Sequence, residues 1–253
     1  MIVAVYSVKG GSGKTTIAVN LAAALGNQHR GDCVLLDLGL PYNHAALIAN
    51  LVPTGCLATT ERLRDDKFEH AVINVCLRHP SGMTVLPTAL KVEQSELITP
   101  ELVERTLDIL EKNFTFVIVD LGVSMSEVTL SVLDRSDKVF LLVTPELPAI
   151  RDTEALLKLW DKVLKLHAGK MTLIFNRPRP HALATRTDAE QVIRRLMQFD
   201  IPYDGERFER ATVTGEILVI RTPTSPPAKI LQRIANDVLG EHRMLRGKSA
   251  QSS

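Results

Sequence analysis

Aromatic side chains are scarce in this chain: they make up 4% of 253 residues, with one tryptophan. A core built on stacked rings is therefore excluded. Cysteine is nearly as rare. Cys33, Cys56 and Cys76 are odd in number and show no Cys-x-x-Cys spacing, so they read as thiols of a reducing compartment rather than a disulfide framework or metal site. Neither charge predominates. Thirty Lys and Arg against 29 Asp and Glu leave a net +1, which argues against a strongly basic nucleic-acid binder without excluding a local basic patch. No apolar run approaches the ~18 residues of a membrane span, and no basic n-region opens the chain. The expectation is a cytoplasmic protein.

What remains is aliphatic. Hydrophobic residues are 45% of the sequence, and a core of Val, Ile, Leu and Ala suits a parallel sheet covered by helices. The length suits one α/β domain, taken as residues 1–246, with 247–253 expected to be a disordered tail.

The most informative stretch is Lys9-Gly10-Gly11-Ser12-Gly13-Lys14-Thr15-Thr16. It follows an apolar strand-like run, Ile2 to Val8, and opens a helical pattern, Ile17 to Leu25. The glycines let successive N–H groups turn toward one centre, and the helix start adds its positive dipole end, which makes a phosphate cradle. In that reading Lys14 reaches the β- and γ-phosphates of ATP or ADP, and the Thr15 hydroxyl ligates Mg²⁺. The strict pattern has a glycine where this chain has Val8, so Gly10 and Gly11 supply the turn. Lys9 alone reads as a loop cation.

Two further strands end in carboxylates. Cys33 to Leu38 carries Asp37, which either faces a ligand beyond the strand tip or caps the turn. Phe116 to Asp120 has the Walker B pattern, a buried strand bringing an Asp to the metal shell. Strands are also expected at Met83 to Leu86, Lys138 to Thr144 and Thr172 to Phe175. Helices are expected at Tyr42 to Leu51, Thr59 to Phe68 and Pro100 to Lys112 (capped by Thr99), and at Ser126 to Leu133 and Thr153 to Leu166, the last with a solvated face of Lys158, Lys162 and Lys165. Thr187 to Gln198, a modest helical pattern at Phe208 to Leu218, and Pro226 to Leu239 (capped by Ser225) complete the set. Ala71 to Leu77 reads as strand-like or irregular. His44, His70 and His79 read as solvated, Asn176 as a turn residue, and Arg177, Arg179 and Arg186 as a surface run without the interleaved aromatics of a nucleic-acid platform.

The Lys9 to Thr16 segment resembles the deviant Walker A motif of the MinD/ParA family of P-loop ATPases. The resemblance implies a doubly wound, mostly parallel sheet with helices on both faces, of the SIMIBI type. It further implies an ATP-dependent homodimer in which Lys9 reaches the partner's nucleotide, with Lys9, Lys14, Asp37 and Asp120 catalytic. Thr15, Asp37 and Asp120 would serve Mg²⁺. Gly10, Gly11, Ser12, Gly13, Lys14, Thr15 and Thr16 would hold the nucleotide, joined at the adenine by Asn176, Arg177 and the Pro202 segment. The family strand usually ends Asp-x-Asp, whereas Asp37-Leu38-Gly39 lacks the second carboxylate, which implies slow hydrolysis. Leu121-Gly122-Val123-Ser124 also departs from the family segment after Asp120.

Ser81 to Pro87, Glu96 to Glu101 and Thr144 to Arg151 resemble the CpaE/TadZ pilus-assembly localisation branch. The implied partner is then a positioning or pilus-assembly protein. The alternatives are a hydrolysis-deficient ATP-binding scaffold and a DNA-associated partitioning ATPase. A membrane-targeting final helix is disfavoured, because its stripe of Ile230, Leu231, Ile234, Val238 and Leu239 reads as core.

Overall fold

Short aliphatic runs bounded by glycine, proline and polar turns become strands because β-branched and leucine side chains pack well on a pleated surface covered from both sides. The computed structural model describes residues 1–29, 31–164, 168–177, 179–180 and 182–251. Its strands are β1 (Ile2–Tyr6), β2 (Cys33–Leu38), β3 (Leu77–Arg78), β4 (Met83–Pro87), β5 (Phe116–Leu121), β6 (Lys138–Val143), β7 (Met171–Asn176) and β8 (Phe199–Ile201). They form one sheet in the order β3-β4-β2-β5-β1-β6-β7-β8. Every pairing is parallel except the short β3 against β4. This is the expected doubly wound α/β architecture.

The helices are α1 (Lys14–Gln28), α2 (Ala45–Ile48), α3 (Asp65–Asn74), α4 (Pro100–Asn113), α5 (Glu127–Arg135), α6 (Leu147–Leu159), α7 (Arg186–Ile193), α8 (Gly205–Thr214), α9 (Leu218–Arg221) and α10 (Pro226–Gln251). Strand side chains alternate between two cores. On one face Val3, Val5, Leu35, Ile118, Phe140 and Ile174 meet α1 and α10; on the other Ala4, Tyr6, Leu36, Val119, Leu141 and Phe175 meet residues of α3 to α7. Helix α1 lies between the sheet and α10, so it is buried along most of its length and apolar nearly all round. Gly26 lets it lie close to the turn before β4. A Cβ there would stand 2.7 Å from the Gly82 carbonyl carbon and 2.8 Å from the Met83 Cα.

Several boundaries differ from the sequence reading. The helix expected at Thr59 to Phe68 is a single 3₁₀ turn at Leu57–Thr60 followed by α3, which continues through residues expected to be irregular. Phe68 and Val72, one turn apart, are both buried there and hold the helix onto the core. In place of a Tyr42 to Leu51 helix only α2 forms. Helix α6 starts at Leu147 rather than Thr153, since Pro148 sits in its first turn, where no amide hydrogen is needed. It ends in a π turn, Trp160–Leu164; Lys165 and Leu166 lie outside the described residues.

Thr99 caps α4 as expected, accepting from the Leu102 N–H at 3.2 Å. Ser225 does not cap α10: its buried hydroxyl has no hydrogen-bond partner. Helix α10 also continues through Gln251, so residues 247–251 are helical where a disordered tail was expected. Gly247 disfavours a helix without stopping one already nucleated by a packed N-terminal half. The apolar stripe of α10 is core, with Leu231, Ile234 and Val238 fully buried. Among the described residues no helix is long and apolar enough to cross a membrane.

His44 and His70 are exposed as expected, whereas His79 is half-buried and its ring nitrogen accepts from the Ser81 N–H at 3.0 Å.

Candidate functional site

Parallel strands end together, so the loops after β1, β2, β5, β6 and β7 gather at one edge of the sheet. The loop from β1 to α1 is the phosphate cradle. Gly11 (φ 71°) and Gly13 (φ 88°) adopt left-handed conformations that a side chain would strain. Gly13 is also the N-cap of α1, and no side chain caps that helix start. Its first N–H groups are thereby not taken up by a capping side chain and are available to an anion. Within the loop, the Ser7 hydroxyl donates to the Lys9 carbonyl at 2.8 Å, the Ser7 and Ser12 hydroxyls bond at 2.6 Å, and Lys14 Nζ donates to Ser7 Oγ at 3.2 Å. Lys14 is buried, which lowers its pKa; the facing Asp120 charge offsets part of that.

Asp37 and Asp120 are register partners on neighbouring strands β2 and β5, and both are fully buried. Their surroundings differ. Asp37 Oδ1 accepts from the Gly39 N–H at 3.0 Å and the Asn43 amide at 3.2 Å, and Oδ2 accepts from the Ala45 N–H at 2.8 Å. Burial still holds its pKa above the usual carboxylate range, with the Ala45 and Gly39 amides pulling it back.

Both Asp120 oxygens are buried without a hydrogen-bond partner. Burial first, then the neighbouring Asp37, pushes the Asp120 pKa up to about 8, against the opposing pull of Thr15 and Lys14. A buried orphan carboxylate is costly unless a cation completes it. Thr15, Asp120 and the nearby Asp37 fit a divalent cation. No group of three or more His, Cys, Asp or Glu among the described residues is arranged to hold a metal unaided, so phosphate oxygens would have to share the ion. A side chain at Gly39 would begin 3.1 Å from Asp37 Oδ1 and 3.6 Å from Asp120 Oδ2. A carboxylate at position 39 would thus stand beside this pair.

Beyond the cradle lies a cavity of about 230 Å³, bounded by Gly13, Thr16, Asn176, Arg177, Tyr203 and Phe208 among others. Asn176 is buried at the end of β7 and its Nδ2 donates to the Ser12 carbonyl at 2.7 Å. One amide hydrogen thus braces the phosphate loop, while the second and the carbonyl are free of that bond. Arg177 is held by Asp200 at 3.1 Å. Pro202 is not among the lining residues; its neighbours Tyr203 and Asp204 are. Tyr203 and Asp204 belong to the Ile201 to Asp204 segment that the resemblance set beside the adenine, whereas Phe208 was given no site role from sequence.

Lys9 Nζ pairs with Glu146 at 3.1 Å, each side chain about one-third exposed. Glu146 precedes α6 at the tip of β6, and Lys9 cannot announce that partner from sequence. Val123, in the unusual segment after β5, is held through its carbonyl by the Tyr6 hydroxyl at 3.1 Å.

A family model described as an AAA domain matches residues 1–173. The septum site-determining protein MinD of Synechocystis is 26% identical over 244 residues, covering 95% of this chain and 90% of that protein. The crystal structure of a ParA family ATPase from Chlorobium tepidum superposes with a TM-score of 0.81 at 26% identity, covering 92% of this chain and 98% of that one. MinD complexed with Mg-ADP from Pyrococcus horikoshii shares the fold, with a TM-score of 0.76 at 22% identity over 94% and 95% of the two chains.

Proposed function

The chain belongs to the AAA-domain family and, within it, to the MinD/ParA group of P-loop ATPases, and from that premise we propose that it is an ATP-binding positioning switch. Mg²⁺-ATP drives two copies into a sandwich, and hydrolysis releases them. The cargo is a polar machine of the pilus-assembly or secretion kind. The observation that carries this reading is the pairing of an uncapped phosphate cradle with Lys9, whose ammonium is held by a part-exposed ion pair with Glu146. Exposed pairs of this kind contribute ~0–1 kcal/mol, so Lys9 is readily exchanged to a stronger anion such as a phosphate of the partner copy.

Lys14 would neutralise the β- and γ-phosphates, and Thr15 and Asp120, with Asp37 beside them, would hold a Mg²⁺ ion whose chemistry there would be charge compensation for phosphoryl transfer. The Mg-ADP bound by the Pyrococcus relative supports the ion and nucleotide class. The cavity between Asn176 and Phe208 takes the base. Turnover is slow because Gly39 brings no carboxylate to orient water. That same glycine favours a second reading, an ATP-held scaffold that scarcely hydrolyses. A DNA-associated role has no observation of its own in its favour: Arg177, Arg186, Arg195 and Arg207 are each engaged by a carboxylate rather than gathered into a common basic stripe.

Light scattering coupled to size exclusion tests the switch. Mg²⁺-ATP is expected to convert monomer to dimer; Lys14→Ala abolishes both nucleotide binding and the shift, and Lys9→Ala keeps binding but loses the dimer. A wild-type protein that binds ATP tightly and stays monomeric overturns the sandwich.

A further inference from the structure

Asn43 sits in the loop between β2 and α2, and its side-chain amide is engaged on every side. Its Oδ1 accepts from the Thr88 N–H at 3.1 Å and the Ala89 N–H at 2.6 Å. Its Nδ2 donates to the Asp37 main-chain carbonyl at 3.1 Å and to Asp37 Oδ1 at 3.2 Å. Two backbone N–H donors fix which end of the amide is oxygen, so the donor end necessarily faces Asp37. The Thr88 hydroxyl closes the ring by reaching the same Asp37 carbonyl at 2.6 Å.

The consequence lies at Asp37. With Gly39, Asn43 and Ala45 all donating to it, its carboxylate is clamped in one orientation beside Asp120, whose oxygens have no partner. The two amide N–H donors belong to the loop itself, whereas the Asn43 side chain ties that loop to the end of β4. Outer partners that orient a metal-facing carboxylate commonly change metal affinity ~10–100-fold when removed. We infer that Asn43 is the positioning residue of Asp37, fixing its carboxylate for the metal–nucleotide complex by anchoring it to Thr88 and Ala89. The inference rests on the Mg²⁺-nucleotide reading above.

Two variants separate positioning from simple loop stapling. Asn43→Ala removes every bond of the amide. Asn43→Asp keeps an acceptor for Thr88 and Ala89 but turns a like charge on Asp37. Binding of a fluorescent ATP analogue is titrated with Mg²⁺ and, separately, in EDTA, with thermal unfolding of the ligand-free protein in parallel. Both variants are expected to bind the analogue in EDTA within ~2-fold of wild type, because the cradle and Lys14 are untouched. Both should need ~10-fold or more Mg²⁺ to reach half of the metal-dependent tightening.

If Asn43→Ala does not fold, Asn43→Asp, which retains the bonds to β4, carries the test. An unchanged Mg²⁺ requirement in a folded variant, whatever its unfolding temperature, overturns the assignment and leaves Asn43 a loop staple. A wild-type protein that binds the analogue without any Mg²⁺ effect overturns the metal reading instead, and the assignment with it.

Discussion

At the scale of single residues, the contrast between the two buried carboxylates says most. Asp37 is saturated by protein donors and Asp120 has none, so the pair stores an unfavourable charge that a cation can relieve. Its pH signature follows from the raised Asp120 pKa of about 8. Below the unfolded-state value both states are protonated and the group costs nothing. Between about pH 4 and 8 the unfolded chain ionises while the folded one keeps its proton, so stability falls as pH rises through that window. Asp120→Asn loses this contribution and keeps only the slope of Asp37, whose pKa burial also raises. In metal-free, nucleotide-free buffer its gain over wild type in denaturant unfolding should be largest at pH 8, on the order of 3–5 kcal/mol, and shrink toward pH 5. An equal gain at both pH values would show that ionisation is not the cause. The type and place of Asp120 were legible, because an apolar run ending in Asp after a phosphate loop has few other meanings. Its lack of partners was not, since it depends on what β2 and the loops around it leave unfilled.

Among the elements, α1 shows packing overriding propensity. Alanine is a better helix former than glycine by ~1 kcal/mol, and on that ground Gly26→Ala would stabilise α1. The structure predicts the reverse, because the new methyl would sit 2.7 Å from the Gly82 carbonyl carbon, against backbone that has no rotamer to change. Thermal and urea unfolding should show a loss of ~1–3 kcal/mol; a gain would mean that the turn before β4 yields freely. Helix α3 teaches the same lesson from the other side. Its boundaries were misplaced because Phe68 and Val72 acquire their common face only once a core exists to bury them. Thr99 and Pro100, by contrast, marked α4 correctly: a cap acts on its own first turn and needs nothing from the rest of the chain.

Over the whole molecule, the C-terminal helix is tied to the central sheet by a buried ion pair. Lys138 opens β6 with a side chain 4% exposed, and it pairs with Asp237 at 2.8 Å and with Glu241, both on α10. The two carboxylates remain about 40% exposed, so removing the lysine returns them to water rather than stranding them. Lys138→Met should therefore cost only ~1–2 kcal/mol, below the 3–5 of a fully buried broken pair, with the loss reduced at high salt; a larger, salt-independent loss would mean that the methylene packing matters more than the charge.

By itself the sequence determined the aliphatic parallel sheet, the phosphate cradle from Lys9 to Thr16 and the two carboxylate-tipped strands. Each of these is written in neighbouring residues and follows from local chemistry. Tertiary structure alone decided that Glu146 holds Lys9, and that Asn43, anchored to Thr88 and Ala89, donates to Asp37 while Asp120 stays bare. Those pairings join residues far apart in the chain, and burial sets their worth only after the sheet has brought the strand tips together.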